Sequence, residues 1–291
     1  MMNLKTGEKT KFISENSIDD FAFDDFELER LIFIIKKKYQ FDFSNYAIAS
    51  FKRRINRIIR VFDFENISEL ESRLINDALF FEDFLNEITV NTTEFFRDPD
   101  FWIVLKTKVF PFLAQKEKIK IWHAGCSTGE ESLSMAIALF ENNLLDKSEI
   151  IASDINKNVL AIAQKAKYSK RNLELSLTNY IQSNGKNSLN NYFDDIGENI
   201  VFKPFLNQNT TFLRHNLADE NIIGQFDLII NRNVMIYFDD NLQESVFKRF
   251  KNSMLPNAFL AFGSNENINL VKSSFDMKCV SSAEKLFQKL A

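Results

Sequence analysis

The sequence predicts an α/β protein, in which a Rossmann-like, mainly parallel sheet follows an all-helical N-terminal module. Residues 118–135 have the pattern of a buried strand, a tight turn with Gly125 and Gly129, and a helix start. This pattern is typical of the first βα unit of a nucleotide-binding sheet. Further β-rich buried runs alternate with apolar-faced helical segments at 150–154, 225–231 and 259–263. Before residue 90, apolar residues recur at helical spacing instead.

The glycine-containing turn favours a ligand with a cationic part. Gly125 and Gly129 lack a Cβ, so the backbone can turn sharply and a ligand can approach it closely. The turn has no Gly-Lys-Ser/Thr sequence, and Glu130 and Glu131 follow it at the helix start, where they would repel a pyrophosphate. S-adenosylmethionine fits this pattern, because it joins an adenosine to an ammonium and a sulfonium group.

Asp154 is the second candidate for a nucleotide site. It ends the predicted strand at 150–154, where sheets of this kind place a carboxylate on ribose hydroxyls. The alternative is a helix N-cap, because a helical run begins at Val159. Both roles are compatible with the sequence.

Composition narrows the class of protein. The net charge of −4 gives no general electrostatic reason for nucleic-acid binding. Cys126 and Cys279 are the only cysteines, and with two histidines they show no zinc-binding spacing, so we expect no metal and a reducing, cytoplasmic compartment. The polar residues 1–20 lack the apolar core of a signal peptide, and no apolar run is long enough for a membrane helix.

The predicted helix at 46–61 carries a basic strip opposite its apolar face. The strip consists of Lys52, Arg53, Arg54, Arg57 and Arg60. A solvated helix face is the simpler interpretation. The alternative is a docking surface for an acidic partner, since clustered cations attract anionic surfaces.

Other segments contribute polar residues or ambiguous strands. Arg97 follows a turn-forming stretch that begins at Val90, and is either a surface ion-pair partner or a guanidinium that grips a carboxylate ligand. Two β-rich runs, Asn199–Lys203 and Thr210–Arg214, favour a small antiparallel ribbon within 192–215. Residues 231–238 follow a buried strand, so their polar and aromatic side chains are expected to face a ligand crevice.

Four separated stretches together resemble the CheR-type chemoreceptor glutamate methyltransferases. They are VNTTEFFR from 90, AGCSTGEESLS from 124, ASDINKNVLAIA from 152 and FDLIINRNVMIYFDDNLQESVFKRF from 226. The string Arg232–Phe238 is close to a family signature, and the resemblance covers roughly residues 24–285. It implies transfer of a methyl group from S-adenosylmethionine to receptor glutamates, which yields methyl esters and S-adenosylhomocysteine.

The resemblance also implies roles for individual residues. Asn91, Thr93 and Arg97 would lie at the methionine end of the cofactor. Gly125 would lie against the cofactor, Glu130 would meet its amino group, and Asp154 would bind its ribose. Asn216 and Leu217 would flank the adenine. Arg232 and Asn233 would line the other side of the cofactor. Tyr237 would lie beside the transferred methyl group. Tyr237 and Arg97 are the expected catalytic residues, and the basic strip would dock acidic methylation helices.

The resemblance suggests boundaries and also has departures. We expect a disordered segment 1–20, a helical docking domain 21–90, a linker helix 91–117 and a methyltransferase domain 118–291 with a β-subdomain at 192–215.

The sequence departs from the family pattern at three positions: Ser132 and Leu133 replace the usual Pro and Tyr, and His123 is uncommon at its position. The short turn around Gly197 predicts independence from a receptor's C-terminal pentapeptide. We further expect a monomer that neither binds nucleic acid nor inserts into membranes. The rival hypotheses are a methyltransferase with another acceptor, a cofactor-binding regulatory module without turnover and a structural adaptor.

Overall fold

The protein is described by a computed structural model over residues 23–218, 222–272 and 274–290. The segment 1–20, for which the sequence predicts disorder, lies outside these residues. Across the described ranges, no helix is long and apolar enough to span a membrane. The predicted fold class is confirmed: a helical N-terminal part precedes a mixed seven-stranded sheet, and a small antiparallel sheet accompanies it.

The N-terminal part is helical and has a core of its own. Its helices are α1 Asp25–Tyr39, α2 Ile48–Val61, α3 Ile67–Asn76 and α4 Phe80–Ile88. A capping box starts α1: the Glu27 N–H donates to the Asp24 side chain over 2.8 Å, and the Asp24 N–H donates to Glu27 over 3.1 Å. Leu31 in α1 and Ile55 in α2 are fully buried, as their helical spacing predicts.

A continuous helical stretch leads from this part to the sheet. It comprises α5 Pro99–Val104, a π-helical segment Leu105–Val109 and α6 Phe110–Leu113. Pro99 suits the first position of a helix, because its missing N–H would have no intrahelical partner there. Trp102 and Leu105 are fully buried in the core on one face of the sheet.

The main sheet is largely parallel. Its strands are β1 Ile119–Ala124, β2 Ser148–Asp154, β6 Thr210–Arg214, β7 Phe226–Asn231, β8 Met254–Phe262, β9 Met277–Ser281 and β10 Leu286–Lys289, in the order β6-β2-β1-β7-β8-β10-β9. The first five strands in this order pair in parallel, whereas β10 pairs antiparallel with both β8 and β9. Every residue of β7 is buried, as expected for a central strand covered on both faces.

Helices and cores cover both faces of the sheet. These helices are α7 Glu130–Glu141, α8 Lys157–Lys165, α9 Leu173–Gln182, α10 Asp240–Asn252 and the short α11 Asn269–Lys272. The carboxyl ends of β1, β2 and β7 meet at one edge, because parallel neighbours run in the same direction. This edge is where open α/β sheets bind ligands.

The predicted ribbon at 192–215 is wrong in its pairing. A hairpin of β4 Phe193–Ile196 and β5 Asn199–Phe202 does form, but its third strand is β3 Lys167–Ser169. Thr210–Arg214 instead pairs in parallel with β2, with Asp154 opposite Arg214. The turn at Pro204–Leu206 leads the chain away from the hairpin. A β-rich run indicates a strand but does not select its partner, since partner choice depends on tertiary packing.

Candidate active site

A cavity of about 1080 Å³, a volume that includes open solvent at its mouth, lies at the carboxyl edge of the sheet. Every predicted cofactor-binding or catalytic residue except Glu130 lines it: Asn91, Thr93, Arg97, Gly125, Asp154, Asn216, Leu217, Arg232, Asn233 and Tyr237. The helical part closes one side with Tyr46, Ser50, Phe51 and Arg54, and sequence reasoning did not identify the first three as site residues.

The turn after β1 brings bare backbone to the cavity wall. Gly125 has a φ of +82°, and a Cβ there would lie 2.5 Å from Cγ2 of Val234. Gly129 has a φ of +92°, and a Cβ there would lie 2.6 Å from Cβ of Ala163. Both positions therefore require glycine, for backbone conformation and for space.

Asp154 braces this turn from the end of β2. Its Oδ2 accepts a hydrogen bond from the Ser127 N–H at 2.9 Å, and its Oδ1 accepts one from the Asn156 N–H at 3.0 Å. Burial raises the pKa of Asp154, although these hydrogen bonds oppose the increase. The N-cap of α8 is Asn156, so the simple N-cap interpretation of Asp154 is wrong. Asp154 links the two loops that border the cavity.

Glu131, in the first turn of α7, lines the cavity and belongs to a buried charge network. Arg232 pairs with Glu131 over 2.7 Å and with Asp98 over 2.5 Å, and its guanidinium lies 4.2 Å from the centre of the Phe101 ring. His123 Nδ1 lies 3.4 Å from Glu131 Oε1. Burial opposes ionisation of Glu131, but Arg232 and His123 outweigh it and lower its pKa. Glu131 is therefore held as a carboxylate.

The structure does not support Glu130 as the residue that meets the cofactor. Glu130 faces a second cavity, beside Tyr168 and Arg171, and its Oε2 accepts a hydrogen bond from Thr128 Oγ1 over 2.6 Å. Burial raises the pKa of Glu130 to about 7. Successive helical residues point about 100° apart. Of this pair, Glu131 lines the cavity at the carboxyl edge of the sheet, and Glu130 lines the second cavity.

The segment that contains Asn91, Thr93 and Arg97 is fixed by its buried neighbours. Phe95 and Phe96 are buried, and the Phe96 N–H donates to Ser134 Oγ in α7 over 3.0 Å. Thr93 lines both cavities. In the part of the chain that the structure describes, no carboxylate lies within ion-pair distance of Arg97, so its surface ion-pair interpretation finds no support.

Tyr237 belongs to a braced turn, Met235–Tyr237. Glu266 Oε1 accepts a hydrogen bond from the Val234 N–H over 2.9 Å, and Gln243 Nε2 donates to the Phe238 carbonyl over 2.9 Å. Burial raises the pKa of Tyr237, whereas Arg54 and Arg97 act in the opposite direction. Sequence reasoning missed Glu266, although its position after β8, at the carboxyl edge of the sheet, is a usable signal.

The basic strip on α2 is only partly available to a partner. Lys52 pairs with Asp25 over 2.7 Å, and Arg57 pairs with Glu87 over 2.9 Å. Within the described ranges, Arg53 and Arg54 form no such ion pair, and Arg54 borders the cavity. Arg54 and Arg53 are the members of the strip that act on the Tyr237 phenol.

The residues around the cavity fit S-adenosylmethionine. Asp154 and Glu131 place two carboxylates on the cavity wall, and Gly125 leaves space for close approach of a ligand. Among the residues that the structure describes, no cluster of His, Cys, Asp and Glu could hold a metal ion.

Comparisons with known proteins identify one family over both parts of the chain. The family profile "CheR methyltransferase, SAM binding domain" matches residues 91–284, and "CheR methyltransferase, all-alpha domain" matches 27–89. Cher3 of Pseudomonas putida is 36% identical over 91% of this chain and 97% of its own length. The chemotaxis protein methyltransferase of Listeria innocua is 29% identical over 84% of this chain and 92% of its own. That of Borreliella burgdorferi is 30% identical over 83% and 88%.

Similarity to solved structures is low. The structure titled "StiE O-MT residues 961-1257" is 12% identical, with a TM-score of 0.33, over 55% of this chain and 40% of its own. A likeness of this size carries no argument about function.

Proposed function

The chain belongs to the CheR methyltransferase family, and on that premise we propose that it methylates glutamate side chains of chemoreceptors, using S-adenosylmethionine. The observation that carries this proposal is the position of Tyr237. It lines the same cavity as the residues that we propose to bind the cofactor, and Arg54, Arg97 and Arg53 are the cations that act on its phenol. A carboxylate acceptor suits such a positively charged entrance.

We assign the cofactor contacts by their place around the cavity. Asp154 would accept hydrogen bonds from the ribose, Asn216 and Leu217 would flank the adenine, and Asn91, Thr93 and Arg97 would hold the methionine end. Arg232 and Asn233 would line the opposite side. Glu131 takes the ammonium role that the sequence assigned to Glu130, because only Glu131 lines this cavity.

The chain's contribution to the reaction is orientation. Bound S-adenosylmethionine supplies an electrophilic methyl group: the C–O bond of the ester forms as the C–S bond breaks, leaving S-adenosylhomocysteine. A glutamate has a pKa of about 4.3, so it is ionised at neutral pH and needs no general base. Tyr237 would donate a hydrogen bond to the acceptor carboxylate, Arg97 would offset charge nearby, and the cavity walls would limit water.

Receptor recognition would rest on α2. Arg53 and Arg54 would meet acidic methylation helices, and Lys52, Arg57 and Arg60 would add to the positive potential. We propose the division into a docking domain 21–90, a linker 91–117 and a methyltransferase domain 118–291. For the β-subdomain we propose the three short strands β3, β4 and β5 in place of 192–215, because these strands pair with one another.

The experiment is transfer of radiolabelled methyl groups to receptor-containing membranes, scored as base-labile volatile methanol. Label released by base identifies a glutamyl ester. Tyr237→Phe is the diagnostic variant: turnover should fall by about tenfold or more while cofactor affinity is kept. Tight S-adenosylmethionine binding without any ester in the wild-type protein would reject the receptor reaction and favour another acceptor or a regulatory module.

A further inference from the structure

The helical part touches the Tyr237 turn through a main-chain bridge. The Ala47 N–H donates to the Tyr237 carbonyl over 2.9 Å, and the Asp239 N–H donates to the Asn45 carbonyl over 2.9 Å. Tyr46 and Phe238 lie opposite one another between these bonds, in an antiparallel arrangement. Asn45–Ala47, the three residues before α2, are thus joined to Tyr237–Asp239, which end and follow the Met235–Tyr237 turn.

Aromatic packing anchors both sides of this bridge. The Tyr46 ring lies 5.2 Å from the Phe238 ring, in an edge-to-face arrangement. On the other side it lies 4.9 Å from Phe43, which is buried in the helical core. Phe238 is itself buried in the core on one face of the sheet. Because Phe238 belongs to the sheet core and Tyr46 packs against both that core and the helical core, the bridge is held from both directions.

The bonds within the sheet domain hold the neighbours of Tyr237 more firmly than Tyr237 itself. Gln243 Nε2 donates to the carbonyls of Met235 and Phe238 over 3.2 and 2.9 Å. Tyr237 has a longer bond of its own, from its N–H to the Val234 carbonyl at 3.3 Å. The shorter main-chain bond of Tyr237 is therefore the one from Ala47.

We propose that Asn45–Ala47 is a positioning segment for Tyr237, so that the helical part completes the active site as well as any partner surface. This inference rests on the proposed function, in which the Tyr237 phenol orients the acceptor carboxylate. Ala47 is also the residue before α2, and Ser50, Phe51 and Arg54 of that helix line the cavity. The position of α2 is thus mechanically linked to the position of Tyr237.

Ala47→Pro breaks the proposed bridge: it removes the N–H donor, and the proline Cδ takes the place of the hydrogen that faces the Tyr237 carbonyl. Ala47 has a φ of −59°, which proline adopts. Its carbonyl still accepts from the N–H groups of Ser50 and Phe51, so the first turn of α2 is kept. Ala47→Gly retains the N–H and is the matched control. Tyr46→Ala removes the ring contact with Phe238 and serves as a second variant if Ala47→Pro does not fold.

Two readouts separate this inference from the proposed function. For Ala47→Pro we expect amide hydrogen exchange in 234–239 to become about tenfold faster. We also expect kcat for methyl transfer to fall about tenfold, with KM for S-adenosylmethionine little changed. Unchanged exchange would overturn the inference, as would faster exchange with unchanged kcat. A loss shared with Ala47→Gly would also overturn it, because that variant keeps the donor.

A wild-type protein that forms no methyl ester would reject the proposed function instead. Exchange at 234–239 would then still decide whether the bridge holds the turn. Faster exchange in Ala47→Pro alone would support the positioning segment, and equal exchange in all variants would reject it.

Discussion

Arg232 and Glu131 form a buried ion pair of 2.7 Å that joins the loop after β7 to the start of α7. The Arg232 side chain is only 2% exposed, and Asp98 contacts the same guanidinium. Burial of either charge alone would be costly, so each group depends on the other. The pair fixes the orientation of the one acid of Glu130 and Glu131 that faces the cofactor cavity.

Arg232→Ala is therefore expected to destabilise the protein by about 3 kcal/mol, because it leaves the largely buried Glu131 carboxylate without its guanidinium partner. Urea denaturation at neutral pH measures this change. The control is Arg73→Ala, since Arg73 pairs with Asp77 on an exposed helix surface with 55% of its side chain accessible. That pair should contribute about 0–1 kcal/mol. Equal losses in the two variants would contradict the buried-pair argument.

Asp154→Ala should weaken S-adenosylmethionine binding by at least about tenfold, because it removes the proposed ribose acceptor and releases the Ser127 and Asn156 N–H groups. Isothermal titration calorimetry measures the affinity. Asp195→Ala, an exposed substitution on β4, is the control. Unchanged affinity in Asp154→Ala would show that this residue only connects the two loops through its hydrogen bonds.

The sequence predicted those parts of the site that local pattern determines. Asp154 ends a buried strand, Gly125 and Arg232 follow buried strands, and the ends of parallel strands lie at one edge of a sheet. The choice between Glu130 and Glu131 was not accessible, because it depends on Arg232, which is 101 residues away in the chain. The same holds for Tyr46 and for the pairing of Thr210–Arg214, since tertiary packing alone brings these segments to their partners.

Glu130→Gln should raise stability at pH 8 and flatten its dependence on pH. Burial raises the pKa of Glu130 from 4.5 to about 7. The folded protein therefore binds this proton more tightly than the unfolded chain, and the resulting stability is present below pH 4.5 and lost as the pH rises to about 7. The neutral amide should recover up to roughly 3 kcal/mol at the higher pH. Parallel stability curves for the two proteins, without added cofactor, would contradict this prediction.

Deleting the C-terminal tail of the receptor should leave the methylation rate unchanged. The β4–β5 hairpin turns through Gly197 and Glu198 alone, because Ile196 and Asn199 are paired. Asp194 and Asp195 are exposed on β4, and these acids would repel a peptide carboxylate. Methylation of full-length and truncated receptor in the same membranes provides the measurement. A large loss on truncation would show that this hairpin, or another surface, holds the tail.

Arg53→Glu should raise KM for the receptor several-fold and leave S-adenosylmethionine affinity unchanged, because Arg53 is exposed on α2 beside the cavity entrance. The reversal places a negative charge where acidic methylation helices are proposed to dock. Lys248→Glu, an exposed reversal on α10, makes the same change in net charge elsewhere. Added salt should raise the receptor KM of the wild-type protein more than that of Arg53→Glu, since salt screens an electrostatic attraction that the variant has lost. If Lys248→Glu raised KM equally, the effect would belong to net charge, and α2 would lose its assignment as the docking helix.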